Sequence, residues 1–201
     1  MMNKRQFYNW SRLLHIYMST ALFSLLIFFS VTGITLNHLE WVSTTNEPKS
    51  LQDQLPNSVL NKLKPPISEA LLIWLDTKYG LSSATNIEWD QDNHEILLDY
   101  PYPAGYAYVI VNINNGQLTI DYQNGQFWQV VNDLHKGRHA GKAWSWLIDI
   151  SAGFMVFFSI TGLIILWQNR PKRKLGIALT VLGTVTPVFI FILFVPKLSG
   201  A

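Results

Sequence analysis

Three long apolar runs, each almost free of charge, divide this chain. Leu13–Leu36 holds one ionisable residue, His15; Ala143–Trp167 holds only Asp149; Leu175–Val195 holds none. A helix needs about 20 such residues to cross the hydrocarbon core of a bilayer. The pattern therefore predicts transmembrane helices over 13–38, 143–167 and 175–196. The first run exceeds a signal-peptide core, and the bulky "LNHLEWV" after it offers no small-residue cleavage site, so it reads as a retained anchor.

Between the first two runs the periodicity changes. Residues 39–65 are polar with three prolines and read as a linker. "ISEALLIWLDTKYG" then carries apolar positions at 67, 71, 72, 74 and 75, with Ser68 placed to cap and Gly80 to stop a helix. Four alternating stretches follow, "TNIEWD", "HEILLDYPY", "YAYVIVNI" and "QLTIDYQ", separated by "QDN", "PAG" and "NNG". They predict a small antiparallel sheet. "FWQVVNDL" (127–134) reads as a short helix. The expected fold is an α-helical membrane protein of three spans, with a small α+β domain (66–131) between spans one and two. An interfacial histidine-rich and basic segment, 132–142, leads into the second span. So small a domain has a marginal core and is expected to pack on the membrane helices or on a second subunit.

Charge orients this arrangement. Lys4, Arg5 and Arg12 precede the first span without an acid, within a basic segment 1–12, and the loop 168–174 adds "NRPKRK". Residues 40–142 carry twelve acids against seven bases. The positive-inside rule puts the N-terminus and 168–174 in the cytoplasm, and 40–142 and the C-terminus outside. The absence of cysteine excludes disulfides, cysteine-held iron–sulfur clusters and covalent haem. The net charge of +2 is absorbed by topology and gives no footprint for nucleic acid.

Two features carry chemistry. "FFSVTGI" (28–34) is echoed by "FFSITGL" (157–163) on a helix of opposite direction. Ser30, Thr32, Gly33 and their counterparts suit close helix packing, or the face of a flat cofactor. Four of the five histidines, His15, His38, His135 and His139, flank these two helices, whereas His94 falls in a polar turn. Ionisable residues at membrane depth mark functional sites, and neutral imidazole binds zinc, copper or haem iron. His135 and His139, four apart, fit one face of a helix as a zinc pair does. A bis-histidine haem instead needs one ligand from each of two elements, and His38 with His135 (or His139) meets that need. Lys136, Arg138 and Lys142 are then placed to neutralise propionates. Gly33 and Ser30 would lie beside the porphyrin, and Asp149 is a candidate to orient an imidazole, to pair with Lys142 or Arg138, or equally to cap the helix. His15 lies about 34 Å from His38 along a helix and serves the opposite membrane face, where a second haem would need a partner's ligand or a non-histidine ligand.

"RLLHIYMSTALFSLLIFFSVTGITLNH" and "LHKGRHAGKAWSWLIDISAGFMVFFSITGLIILWQNR" resemble the paired motifs of PepSY-associated transmembrane proteins, and "YVIVNINNGQL" resembles a hairpin of a PepSY domain. The resemblance implies a bacterial inner-membrane protein. Larger relatives hold b-type haems through such histidines, reduce ferric siderophores or pass electrons to periplasmic partners. This chain has three spans and no flavin or nicotinamide domain, which favours a one-haem relay or a homodimer. Two other readings stand beside electron transfer: a non-catalytic anchored PepSY module that binds a periplasmic protein, and a metal-transport accessory with an HxxxH site.

Overall fold

The computed structural model describes residues 3–42, 46–65 and 68–196. The expectations for Ile67 and for the C-terminal side of residue 196 lie outside them. Along the chain run α1 (Lys4–Asn37), a 3-10 turn (Leu39–Trp41), β1 (Lys49–Gln54), α2 (Asn57–Leu60), α3 (Glu69–Tyr79), β2 (Asn86–Asp90), β3 (Glu95–Tyr102), β4 (Gly105–Asn112), β5 (Gln117–Gln123), α4 (Phe127–Lys136), α5 (Gly141–Gln168) and α6 (Arg170–Phe194). Helices α1, α5 and α6 are each long and apolar enough to cross a membrane. The chain divides into two compact units, Ile27–Ile148, and Met1–Leu26 with Asp149–Ala201.

Within the first unit, five antiparallel strands lie in the order β1-β5-β4-β3-β2. Alternation sends Ile96, Leu98, Tyr100, Val109, Val111, Leu118 and Ile120 to one buried face, where Leu71 and Leu75 of α3 complete the core. The C-terminus of α3 is closed by Gly80 in the left-handed region (φ 72°), as expected. Ser68 occupies the N-cap position, but its hydroxyl donates to the Lys62 carbonyl and does not cap the helix.

The linker expected over 39–65 is structured. β1 pairs along its length with β5, from Lys49↔Tyr122 to Gln54↔Gln117, and Leu55 and Val59 enter the core. Five of the six β1 side chains are exposed. Backbone pairing, not burial, makes this edge strand, so no apolar alternation announces it. The β3–β4 turn holds a second surprise. Ala104, not a glycine, takes the positive φ (61°). Gly105 is required for close approach, since a Cβ there would lie 2.4 Å from the Gln123 carbonyl oxygen.

In the other unit the expected 168–174 loop shrinks to a single residue. Asn169 caps α6, accepting from the Lys172 amide, and Pro171 sits in the first turn where its missing N–H costs nothing. The basic run is thus helical. No described residue of α6 is buried, and the helix continues through Pro187.

Candidate functional site: two clasped histidines

The two echoing segments each hold a histidine, and in each case the histidine comes from the other copy's half of the chain. In the unit Ile27–Ile148, α4 presents His135 to the last turns of α1. His135 Nδ1 lies 2.6 Å from Thr32 Oγ1. The Thr32 hydroxyl proton is committed to the Phe28 carbonyl at 2.6 Å, so Nδ1–H is the donor to Thr32. The Phe29 ring meets the imidazole edge-on at 5.2 Å. Gly33 lies beside the ring, where a Cβ would come into ordinary contact, 3.7 Å from His135 Cε1.

In the other unit the same three motif positions hold His15 of α1. Its Nδ1 lies 3.1 Å from the Phe158 carbonyl and 3.2 Å from Thr161 Oγ1. A carbonyl only accepts, so Nδ1 again carries the proton. The Phe158 ring stacks on the imidazole at 4.3 Å. A Cβ at Gly162 would lie 3.1 Å from His15 Cε1. Thr32 and Thr161, 2% and 3% exposed, are among the few buried polar residues of those described. Phe29/Phe158, Thr32/Thr161 and Gly33/Gly162 are the equivalent positions of the two echoes, so the repetition in sequence is a repetition of one clasp.

The clasp fixes chemistry. With Nδ1–H donated, the neutral form of each ring carries its lone pair on Nε2, and no hydrogen bond to either Nε2 occurs among the described residues. Burial, and then the Lys136 charge, hold the pKa of His135 below its ordinary value, which keeps this imidazole neutral near pH 7. A neutral imidazole whose other nitrogen is anchored is the form that ligates a metal.

The remaining expected site residues fall differently. His38 follows α1, stacks on Trp41 at 4.0 Å and bonds through Nδ1 to Glu40 Oε1 at 3.1 Å. Its bonded partners are therefore not those of His135. The same-face HxxxH geometry is not formed: Gly137 ends α4 in the left-handed region and His139 itself has φ 54°. Among the described residues no group of three or more His, Asp or Glu gathers as a metal site. Arg138 lies 4.0 Å from Asp133. Lys142 is exposed in the first turn of α5, Asp149 is exposed further along it, and Ser30 is exposed on α1, away from the clasp that its neighbours Thr32 and Gly33 form. Lys136 lines a cavity beside α4.

Sequence reasoning missed the partners of the histidines. The signal was present: "LH" at 14–15 and 134–135 repeats along with the "FFS-TG" motif. It also missed the second tie between α1 and α4. Thr35 Oγ1 donates to Asn132 Oδ1 at 2.6 Å, one turn from the His135 contact. Trp144 Nε1 donates to the Leu134 carbonyl at 2.8 Å, fixing α4 to the start of α5.

No curated protein and no solved structure matches this chain. A family model does, over residues 9–196, a span that takes in both clasps, all three apolar helices and the sheet. The chain belongs to the PepSY_TM-like family of membrane proteins.

Proposed function

We propose that this protein holds haem b through histidine Nε2 atoms and relays electrons to an acceptor on the side of the 40–142 domain. The setting we propose is a bacterial inner membrane with a cytoplasmic N-terminus. The observation that carries the reading is the anchored Nδ1 of His135, with its lone pair left on Nε2. His38 has the same chemistry, its Nδ1 engaged by a carboxylate. The donor set therefore suits iron, and His135 and His38 would be the residues to hold it. Haem iron between two imidazoles supplies a one-electron ferric/ferrous couple. The chain's own part is to hold each ring in one tautomer, to keep His135 neutral, and to offer Lys142 as an exposed cation for a propionate. His15, clasped in the same way, would serve a second site completed by another copy of the chain or by a membrane partner.

The visible spectrum of the detergent-purified protein tests this. A Soret band that shifts on dithionite reduction and is lost in His135→Ala is expected. If the protein is colourless, or if His38→Ala and His135→Ala both leave the band intact, the reading is wrong. A haem-to-protomer ratio near one would place haem at the His135 site alone, and a higher ratio would bring in His15.

A second reading is a non-catalytic module that binds a periplasmic protein partner. It is favoured by a cavity of about 500 Å³ at the sheet, walled by Tyr79, Tyr102, Tyr122, Leu51 and Ile120. Tyrosines supply contact area at low entropic cost in such surfaces.

A further inference from the structure

Helix α5 carries one charge in its whole apolar stretch. Asp149 is the only ionisable residue between Lys142 and Arg170, and α5 is long and apolar enough to cross a membrane. Lys142 lies seven residues earlier, about 10 Å along the axis. A carboxylate at such a depth is costly unless it is paired. Its short stem cannot carry it back to the interface as the long stem of a lysine can.

The direction of the side chain follows from the packing of the helix. Phe158 and Thr161 of α5 hold His15 of α1. Ser151, seven residues before Phe158 and so on the same side, is buried. Asp149 lies nine residues, two and a half turns, from Phe158 and projects from the opposite side. It is exposed there, with neither an ion pair nor a hydrogen bond among the described residues. Gly153 follows one turn later on that side, where a Cβ would meet nothing within 4 Å. Val156 and Ile160 continue the face as exposed apolar surface. It is apolar ground with one unpaired anion set into it.

Charge names the occupant. Lipid tails offer a carboxylate nothing. A second copy of the chain offers no better, because every Lys and Arg lies outside the three apolar runs. Two copies joined through this face about a two-fold axis would also set Asp149 against Asp149. The group is satisfied by a cation at the same depth on a helix of different sequence.

We propose that this face of α5 docks a transmembrane helix of another protein, and that Asp149 forms an ion pair within the membrane with a lysine or arginine of that helix. Val156 and Ile160 pack on the partner's apolar side chains, and Gly153 lets the two backbones approach. The inference rests on α5 spanning the bilayer and not on haem. No histidine takes part, and a colourless preparation tests it equally.

Energy transfer in liposomes tests the pairing. The full chain carries a fluorescence donor at Asp92→Cys. Acceptor-labelled transmembrane peptides, rich in Leu and Ala, differ only at one position about two turns from the end, which is Lys, Gln or Leu. The Lys peptide should associate about tenfold more strongly than the Leu peptide. That advantage should vanish in Asp149→Asn, which keeps the volume and removes the charge. Asp149→Lys should instead prefer a peptide with Asp at the same position, a reversal that a merely misfolded variant would not show. If the unaltered chain treats the three peptides alike, the proposal is overturned. Equal association of the Gln and Lys peptides overturns it too, since the carboxyl would then be read as a neutral hydrogen-bonding group. Transfer between donor- and acceptor-labelled copies of the chain that depends on Asp149 would make a second copy the occupant, against the proposal.

Discussion

At the scale of single residues, the two clasps are alike in plan and unequal in redundancy. His135 Nδ1–H has one acceptor, Thr32, whereas His15 Nδ1–H is shared between Thr161 and a carbonyl. Thr32→Val keeps the shape and removes the acceptor, so it should destabilise by about 1–3 kcal/mol. Thr161→Val should cost less, because Phe158 still accepts. Paired melting curves in detergent check the order; equal losses would show that the hydroxyls act in packing alone. The glycines invert the order. Ala at Gly33 meets His135 at ordinary contact distance, while Ala at Gly162 presses on His15 at 3.1 Å. Gly33→Ala should therefore be neutral or stabilising by its helix propensity, and Gly162→Ala should lower the midpoint. Titration gives a third readout. The folded state depresses the pKa of His135 below 6.5, so the unfolded chain takes up the proton first. The histidine's contribution is complete above about pH 6.5 and is lost as pH falls from there through the lowered folded value. His135→Asn retains a donor for Thr32 and cannot titrate, so it should flatten that acid-side decline in midpoint.

At the scale of elements, legibility in the sequence followed burial. Strands β3–β5 and helix α3 were readable because one face of each is apolar and buried, as "YAYVIVNI" shows with Ala107, Val109 and Val111 all inside. β1 was not, because "KSLQDQ" contributes backbone and almost no core. Its hold on the fold is instead polar. Asp53 accepts from both Lys78 and Tyr79 of α3, and these bonds, Lys78 first, bring its pKa down to about 2. A depressed carboxyl stabilises above its unfolded value and loses that contribution as pH falls through the folded one, so the tie should persist to about pH 2. Asp53→Asn removes the charge from these bonds, and amide exchange should quicken along β1 while β3 and β4 stay protected. Uniform quickening across the sheet would mean that β1 is part of one cooperative unit and that Asp53 is no local staple. The β3–β4 hairpin gives a sharper case. Gly105→Ala drives a Cβ into the backbone of β5, which a flexible neighbour cannot absorb, and should cost more than any glycine change in the clasps.

At the scale of the whole molecule, the legible part of the site was its vocabulary and the illegible part its pairing. The echo and the histidines could be read from "FFSVTGI", "FFSITGL" and "LH". That each echo clasps the histidine of the other half could not, since helical periodicity specifies a face and not the residue opposite it. The reciprocity also bears on orientation. In the proposed topology α1 and α5 run through the repeat in opposite senses. The proposed orientation can be tested at two positions: the first turns of α6 carry Arg170, Lys172, Arg173 and Lys174 with no acid, and the β2–β3 turn at 91–94 is polar. Because the chain has no cysteine, single replacements report cleanly. In intact cells with a permeable outer envelope, Asp92→Cys should react with a membrane-impermeant maleimide, and Lys172→Cys should react only after the inner membrane is opened. The reverse pattern would invert the proposed topology and move His135 to the cytoplasmic face, and with it the site from which electrons would leave. Labelling of both in intact cells would mean that α5 does not span.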